Sequence, residues 1–247
     1  MAAIGPNTLL GKVLRYPLRI LPRDTALPIL QGPLRGKKWI VGSHIHGCWL
    51  GTYESEMQKS VAKEIKPGDV FYDVGANVGF YSLLGAVVAS PGKVYAFEPL
   101  STNIDYLVKH LKLNKIHNVE VIDVAVSDAV GSAPFQAEET RAMGRLGTSG
   151  GVYVRTSTLD ALIKEQKIAP PCCIKMDIEG AEFRALLGAK QCFARYRPKL
   201  FLATHGESVQ QQCRQLLKSW NYELHCTYHR LGASDEFLAV PKPVSEP

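Results

Sequence analysis

The segment Val70–Ser82 constrains the fold of this chain more than any other part of the sequence. An apolar run meets Asp73, and a turn that contains Gly75, Asn77 and Gly79 follows. Apolar residues at helical spacing continue after the turn. Small residues between a strand and a helix N-terminus let a ligand approach the backbone closely, and the helix dipole favours a negative group there. The segment therefore predicts a strand, a tight turn and a helix that bind a cofactor.

Glycine spacing and two carboxylates indicate which cofactor binds. The glycines have the spacing G-x-x-x-G, whereas a pyrophosphate-binding turn has G-x-G-x-x-G. The charge of Asp73, at the mouth of the turn, would repel a diphosphate and attract an ammonium or a sulfonium. Glu98 ends the next apolar run 25 residues downstream, about where a doubly wound fold places the acid that binds ribose hydroxyls. These features favour S-adenosylmethionine (AdoMet) over NAD.

Length and composition suit one large α/β domain, which we place at residues 39–240 of the 247. No apolar run reaches the roughly 18 residues of a membrane span, and prolines interrupt the N-terminus, which is untypical of a secretory signal. The six cysteines show no metal-ligand spacing, so we expect reduced thiols and a cytoplasmic protein. Residues 241–247 are expected to form a loose tail.

Positive charge is concentrated in an N-terminal arm, residues 1–38. The arm holds seven basic residues and one acidic residue, which accounts for the whole formal net charge of +6. Residues 39–247 carry 22 basic and 22 acidic residues, a balance that does not support a nucleic-acid groove. The arm also contains leucines, so it could contact an anionic partner or a membrane surface, or it could pack on the domain.

Polar residues end five apolar runs, each of which is predicted to be a strand. They are Asp73, Glu98, Ser127 with Asp128, Asp177 and His205. If these strands are parallel, their carboxyl ends lie along one edge of the sheet, where open α/β sheets bind ligands. The third run covers residues 119–126, and we expect its end, at Ala125, Val126, Ser127 and Asp128, to hold the adenine ring and its amino group.

Two segments depart from the regular alternation of strands and helices. Residues 129–158 are too many, and too rich in glycine, for a plain connection, so we expect a hairpin or a mobile lid near the site. Farther upstream, His44 and His46 stand two residues apart with no third metal ligand at a familiar spacing. We interpret both histidines as polar loop residues.

Six motifs resemble those of the FkbM family of AdoMet-dependent methyltransferases. They are Leu50–Glu54, Asp73–Ser82, Phe97–Pro99, Ala125–Asp128, Thr158–Asp160 and, most specific, Ile174–Glu182. The resemblance covers about residues 50–206. It implies a class I methyltransferase fold, which is a Rossmann-like, mostly parallel sheet of seven strands with helices on both faces and an antiparallel last strand. It also implies methylation of a hydroxyl on a sugar, a polyketide or a peptide natural product, with Glu54 near the cofactor and Tyr53 and Glu179 near the acceptor.

His205 is the candidate general base. Methyl transfer to a hydroxyl needs removal of its proton, and a neutral imidazole with a pKa of about 6.5 can accept that proton at cytoplasmic pH. The FkbM family often has an acid two residues before this histidine, where this chain has Ala203. Glu207 or Asp177 would then have to orient the ring.

Lys175 and Asp177 are the other candidate catalytic residues. They share one face of the fourth strand because side chains alternate along a strand. A lysine in a central strand needs a partner, so we expect an ion pair with Asp177 or Glu179 that orients the substrate or takes part in proton transfer. We expect no metal, and the alternative is a divalent metal held by Asp177 and Glu179.

Three other functions stay open beside an O-methyltransferase with a small-molecule hydroxyl acceptor. An N-methyltransferase typically has an Asp/Asn-Pro-Pro-Phe/Tyr motif after the fourth strand, whereas Ile-Glu-Gly follows Asp177 here. The glycine spacing does not fit the dinucleotide-binding turn of a nicotinamide dehydrogenase. A protein that binds AdoMet without catalysing methyl transfer also agrees with the sequence, if Ala203 in place of the family's acid means that the catalytic activity has been lost.

Overall fold

The computed structural model describes residues 21–137, 144–146, 151–228 and 236–243. Its strands are β1 (Ala26–Pro28), β2 (Lys38–Ile40), β3 (Phe71–Val74), β4 (Val94–Phe97), β5 (Val119–Ile122), β6 (Ala125–Val126), β7 (Gly131–Ala137), β8 (Gly144–Leu146), β9 (Val152–Ser157), β10 (Cys173–Met176), β11 (Lys199–Ala203), β12 (Tyr222–Tyr228) and β13 (Glu236–Pro241). Its α-helices are α1 (Gly47–Leu50), α2 (Ser55–Glu64), α3 (Phe80–Val88), α4 (Ser101–Leu113), α5 (Leu159–Lys164), α6 (Glu182–Leu187), α7 (Lys190–Tyr196) and α8 (Glu207–Ser219).

Seven strands form the central sheet in the order β12-β13-β11-β10-β3-β4-β5. The five strands from β11 to β5 are parallel, and β13 is antiparallel to both of its neighbours. From β3 the chain proceeds outward to β4 and β5 and then returns to β10 on the other side of β3, which makes the gap between β3 and β10 a topological switch point. This sheet confirms the predicted α/β fold with an antiparallel last strand.

Two hydrophobic layers cover the two faces of this sheet. All four residues of β3 are buried, and Phe71 belongs to one layer while Tyr72 belongs to the other, as alternation along a strand requires. The layer with Tyr72 includes apolar residues of α5 to α8, and the layer with Phe71 includes those of α2 and α3. Because helices occupy both faces, the carboxyl ends of the strands are left to form the site.

The third predicted strand, residues 119–126, is wrong as one continuous element. β5 ends at Ile122, and β6 belongs to a second sheet of four strands in the order β6-β9-β7-β8. Within that sheet Ala125 and Val126 pair with Thr156 and Ser157 of β9. The chain therefore leaves the central sheet two residues before β6, and it carries the predicted adenine-binding residues into the smaller sheet.

The segment 129–158 supplies three strands of that smaller sheet. β7 is antiparallel to both β8 and β9, with Phe135 opposite Leu146 on one side and Val152 on the other. Residues 138–143 and 147–150 of the segment lie outside the described residues. The strands fit the expected hairpin, and the role of a lid stays a prediction.

Residues 21–38 of the basic arm pack on the domain. β1 pairs with β2 in an antiparallel arrangement, and Ile29 and Leu34 between the two strands are buried. The boundary predicted after residue 38 falls inside β2. Residues 1–20 lie outside the described residues, so contact of the arm with a membrane stays a prediction.

The predicted tail, residues 241–247, begins at the last residue of β13, and residues 244–247 lie outside the described residues. Within the part of the chain that the structure describes, we find no helix with the length and apolar character needed to cross a membrane.

A buried histidine ties α4 to β2 and to the turn after β3. His110 is fully buried and stacks on Trp39 with ring centroids 3.7 Å apart. Its Nδ1 donates to the carbonyl of Val78 at 2.8 Å, and its Nε2 accepts from the amide of Ile40 at 3.2 Å. These two contacts require the neutral ring, and burial lowers the pKa of His110 to about 4.

We expect this histidine to make the protein less stable in mild acid. The folded pKa lies below the unfolded value of about 6.5, so the stabilisation is complete above pH 6.5 and is lost as the pH falls towards 4, by about 3 kcal/mol in total. Urea unfolding of the wild type and of His110→Gln at pH 7.5, 5.5 and 4.5 measures the effect. A pH dependence that is the same in both proteins would contradict the assignment.

Candidate active site

A cavity of about 860 Å³ opens at the carboxyl ends of β3, β4, β10 and β11. Gly75, Glu98, Asp177 and His205, which follow these four strands, all line it. Most of the predicted site residues lie on its wall, namely Tyr53, Glu54, Gly75, Asn77, Glu98, Ala125, Val126, Lys175, Asp177, Glu179 and His205. Four predicted residues do not, namely Asp73, Gly79, Ser127 and Asp128.

The turn between β3 and α3 forms one wall of the cavity. Gly75, Asn77 and Gly79 all have positive φ angles, of 83°, 50° and 90°. The amide of Asn77 donates a hydrogen bond of 2.8 Å to Oε2 of Glu98. Gly79 lies behind the wall, where an added Cβ would come within 2.7 Å of the Leu107 side chain in α4. The predicted strand, turn and helix are present, and Gly79 acts in helix packing.

Glu98 is held rigidly at the edge of the cavity. Its side chain is buried, and Oε1 accepts from the Leu100 amide at 3.0 Å and from Nδ2 of Asn103 at 3.1 Å. Burial raises the pKa of Glu98 to about 7, although the hydrogen bonds from Leu100, Asn103 and Asn77 lower it. A carboxylate offers about four acceptor positions, so these three contacts leave room for a hydroxyl donor.

Asp73 lies beneath the turn and not on the cavity wall. Its Oδ2 accepts from the Ser82 hydroxyl at 2.6 Å, and no partner for its buried Oδ1 exists in the part of the chain that the structure describes. Burial raises the pKa of Asp73, and the charge of Lys175, which lowers that pKa, does not outweigh the effect of burial. Direct contact between Asp73 and a cationic group of the cofactor stays a prediction that this position does not favour.

The predicted adenine contacts divide into two groups. Ala125 and Val126 present apolar surface to the cavity. The amide of Ser127 instead donates to the carbonyl of Ser157, and the Asp128 carboxylate lies 2.8 Å from a guanidinium nitrogen of Arg184. The hydrogen bond from Arg184 lowers the pKa of Asp128. Ser127 and Asp128 bond to protein groups and do not line the cavity, so a cofactor contact through them stays an untested prediction.

Lys175 makes the ion pair that its strand position requires. Its Nζ lies 3.1 Å from Oδ2 of Asp177 and 4.6 Å from the centroid of the Tyr81 ring, and its side chain is almost fully buried. Burial lowers the pKa of Lys175, but the charges of Asp177, Asp73 and Glu54 outweigh it and raise the pKa. The lysine is therefore a fixed cation at the inner end of the cavity.

His205 stands among three carboxylates. Its Nδ1 lies 3.0 Å from Oε1 of Glu182, and its Nε2 lies 3.4 Å from Oε2 of Glu179 and 3.7 Å from Oδ1 of Asp177. Burial lowers the pKa of His205, but the hydrogen bond to Glu182 and the charges of Asp177 and Glu179 raise it to about 9. The raised pKa favours the protonated ring at neutral pH, whereas the sequence led us to expect a neutral imidazole.

Glu182 is placed to orient the histidine, whereas we expected Glu207 or Asp177 in that role. Glu182 is fully buried at the start of α6, and its Oε1 also accepts from the amides of Ile178 and Gly180. Asp177 contacts the opposite edge of the ring. The signal available in the sequence was the second glutamate of the Glu-Gly-Ala-Glu motif, whose distance from His205 along the chain hides the contact.

Sequence reasoning missed the wall that the segment before α2 contributes. Arg23, Ser43, His44, His46 and Cys48 all line the cavity. The two histidines have neighbours of their own, since Trp49 Nε1 donates to His46 at 3.0 Å and Cys48 Sγ lies 3.7 Å from His44. Both histidines therefore form part of the cavity wall, whereas we expected polar loop residues with no place in the site.

Comparison with known proteins identifies a family. The model of the methyltransferase FkbM domain matches residues 73–228. The hexuronic acid methyltransferase AglP of Haloferax volcanii is 26% identical over 55% of this chain and 56% of its own length. The 31-O-demethyl-FK506 methyltransferase FkbM of Streptomyces tacrolimicus is 30% identical over 51% of this chain and 62% of its own length. The chain thus spans less than two thirds of either relative.

Solved structures agree in fold. A methyltransferase FkbM from Methylobacillus flagellatus gives a TM-score of 0.53 at 17% identity, covering 78% of this chain and 53% of that one. Precorrin-6y C5,15-methyltransferase from Geobacter metallireducens gives a TM-score of 0.51 at 12% identity, covering 76% of this chain and 89% of that one. Because the family model spans more than half of the sequence, the chain belongs to the FkbM methyltransferase domain family, whose cofactor is S-adenosylmethionine.

Proposed function

We propose that this chain transfers the methyl group of AdoMet to a hydroxyl of a small molecule. The observation that carries the proposal is that the glycine turn with Glu98 and the polar group around His205 face the same cavity. A cofactor cradle and a group able to handle a proton are thus within one enclosure. The similar proteins named for a hexuronic acid and for 31-O-demethyl-FK506 support a hydroxylated acceptor.

The cofactor would lie along the turn after β3. Glu98 would accept hydrogen bonds from the ribose hydroxyls, and Gly75 would let the methionine part approach the backbone. Ala125 and Val126 offer the apolar surface on which an adenine ring can rest. AdoMet supplies the electrophilic methyl group. The orphaned oxygen of Asp73 beneath the turn adds negative charge that attracts the cationic donor.

His205 is the proposed proton acceptor. Because Glu182 holds Nδ1, Nε2 is the ring atom that faces the cavity. The hydroxyl would give its proton to Nε2 while the new O–C bond forms and the C–S bond breaks, and the nearby carboxylates would stabilise the imidazolium. The ring must release its own proton to solvent before it can accept another. Tyr53 and Glu179 remain the proposed contacts to the acceptor.

A small acceptor is proposed over a nucleic acid because the charges of residues 39–247 balance. No disulfide joins the six cysteines, all of which lie in the described part of the chain, and this supports our proposal of a cytoplasmic location.

Formation of S-adenosylhomocysteine from AdoMet tests the function. Purified protein would be incubated with a panel of sugars, uronic acids, macrolides and, as comparators, primary amines. We expect product with at least one hydroxyl acceptor and none with the amines. Product with amines alone would favour an N-methyltransferase, binding without product across the panel would favour a non-catalytic AdoMet protein, and no binding of AdoMet would reject all three.

Replacing the buried acid of the cradle is expected to weaken AdoMet. Glu98→Gln removes the charge that accepts the ribose hydroxyl, and hydrogen bonds to charged groups contribute about 1.5–3 kcal/mol, so affinity should fall by at least about tenfold. Calorimetric titration measures the affinity for AdoMet, and Glu120→Gln on the exposed face of β5 is the matched control. Equal affinity in the Glu98 variant and the wild type would contradict the ribose role.

A further inference from the structure

We propose that Asp177, Glu179 and His205 form a binding site for a divalent cation at the acceptor end of the cavity. The inference rests on the proposed function and adds to it, since it names a second way to activate the hydroxyl. Binding of a cation would displace the proton on Nε2 of His205 to solvent and make that atom a ligand, and the acidity of the cation would take over the task that His205 performs as a base in the metal-free protein.

The three side chains have the spacing of metal ligands. One ligand atom from each lies within 4.8 Å of the other two, and Nε2 is 3.4 and 3.7 Å from the carboxylate oxygens. Adjacent ligands around a six-coordinate ion with bonds of about 2.1 Å are about 3 Å apart, so small rotations suffice to close the site. Asp177 and Glu179 come from the loop after β10 and His205 from the end of β11, so two separate strands converge on this point.

The far side of the histidine is arranged as in metal sites. Metal-bound histidines usually donate their other ring N–H to a carboxylate, which fixes the ring and directs its free nitrogen at the ion. Glu182 provides that carboxylate at 3.0 Å, and it is fully buried. Its second oxygen, also buried, has no hydrogen-bond partner in the described ranges.

The charge balance of the site also favours a cation. Glu54, Asp73, Asp177, Glu179 and Glu182 surround Lys175 and His205. Even without Asp73, whose pKa burial raises, the other four carboxylates outnumber the two nitrogen bases when both bases are protonated. A divalent ion would neutralise part of the excess, and the partly exposed side chains of Asp177 and Glu179 let it enter from the cavity.

The ligand set indicates the class of cation and its chemistry. Two carboxylates and one imidazole suit an oxygen-preferring, six-coordinate ion such as Mn²⁺ or Mg²⁺, which keeps open positions for the substrate. The acceptor hydroxyl would bind at an open position, where the ion lowers its pKa and its proton passes to water. The resulting alkoxide would attack the methyl group, forming the O–C bond as the C–S bond breaks.

Binding of Mn²⁺ to the metal-stripped full chain tests the site, because free aqueous Mn²⁺ gives a sharp electron paramagnetic resonance signal that binding removes. We expect one ion per chain in the wild type and affinity at least roughly tenfold weaker in Glu179→Gln, which removes one ligand charge. Glu165→Gln is the matched control, because Glu165 is exposed and lies off the cavity wall. A wild type that binds no Mn²⁺ at millimolar concentration, or a Glu179 variant that binds as the wild type does, would overturn the inference.

Two further measurements on the same sample separate this inference from the proposed function. If AdoMet binds and turnover continues in chelator without Mn²⁺ binding, the cation site is wrong, and methyl transfer with His205 as base stands. If neither AdoMet binding nor turnover occurs with or without Mn²⁺, the proposed function fails, and the inference that rests on it fails too.

Discussion

Replacing His205 with alanine is expected to lower turnover by roughly 10²- to 10⁴-fold while AdoMet binding remains intact. Nε2 of this residue is the cavity-facing atom that either accepts the hydroxyl proton or holds a cation, so both routes to an activated hydroxyl need it. The cofactor contacts proposed at Glu98 and the turn after β3 lie on other elements. Turnover would be followed as S-adenosylhomocysteine, and AdoMet binding by calorimetry.

The matched control for this change is His225→Ala. His225 lies in β12, is half exposed and does not line the cavity. It should keep wild-type turnover, which excludes a general effect of removing a histidine from the sheet. Unchanged turnover in the His205 variant would remove this residue from the mechanism.

The central sheet could be predicted because each core strand is an apolar run that ends at a polar residue. Phe71 and Tyr72 face opposite layers and are both buried, so a central strand gives a continuous hydrophobic signal. The same signal failed at residues 119–126, where the chain changes sheets after Ile122, since Asp123 interrupts the apolar run for one residue only and Val124 resumes it. Periodicity indicates a strand, but it carries no information on which strand will be its partner.

Site residues that directly follow strands could be predicted from the sequence. Contacts between residues that are distant along the chain could not be predicted. Glu98, Asp177 and His205 were found because parallel strands bring their carboxyl ends together. Glu182 was not predicted as a site residue because its contact with His205 depends on how α6 begins. The contact between Asp128 and Arg184 could not be predicted for a similar reason, since Arg184 lies 56 residues farther along the sequence.

Replacing Gly75 with alanine is expected to destabilise the protein by about 2–5 kcal/mol and to abolish AdoMet binding. Gly75 has a φ of +83°, where a residue with a side chain pays about 1–2 kcal/mol. An added Cβ would also lie 2.0 Å from the carbonyl oxygen of Asp177. That overlap with backbone can be relieved only if the turn and the loop after β10 move apart, at a further cost of about 1–3 kcal/mol.

Gly68→Ala separates the two contributions. Gly68 has a φ of +93° and nothing within 4 Å of an added Cβ, so it should cost only the backbone part, about 1–2 kcal/mol, and keep wild-type AdoMet affinity. Urea unfolding of both variants gives the difference, which measures the contact between the glycine turn and the Asp177 loop. Because that contact joins the cofactor end of the cavity to the acceptor end, a Gly75 variant as stable as the Gly68 variant would mean that the two ends are positioned independently.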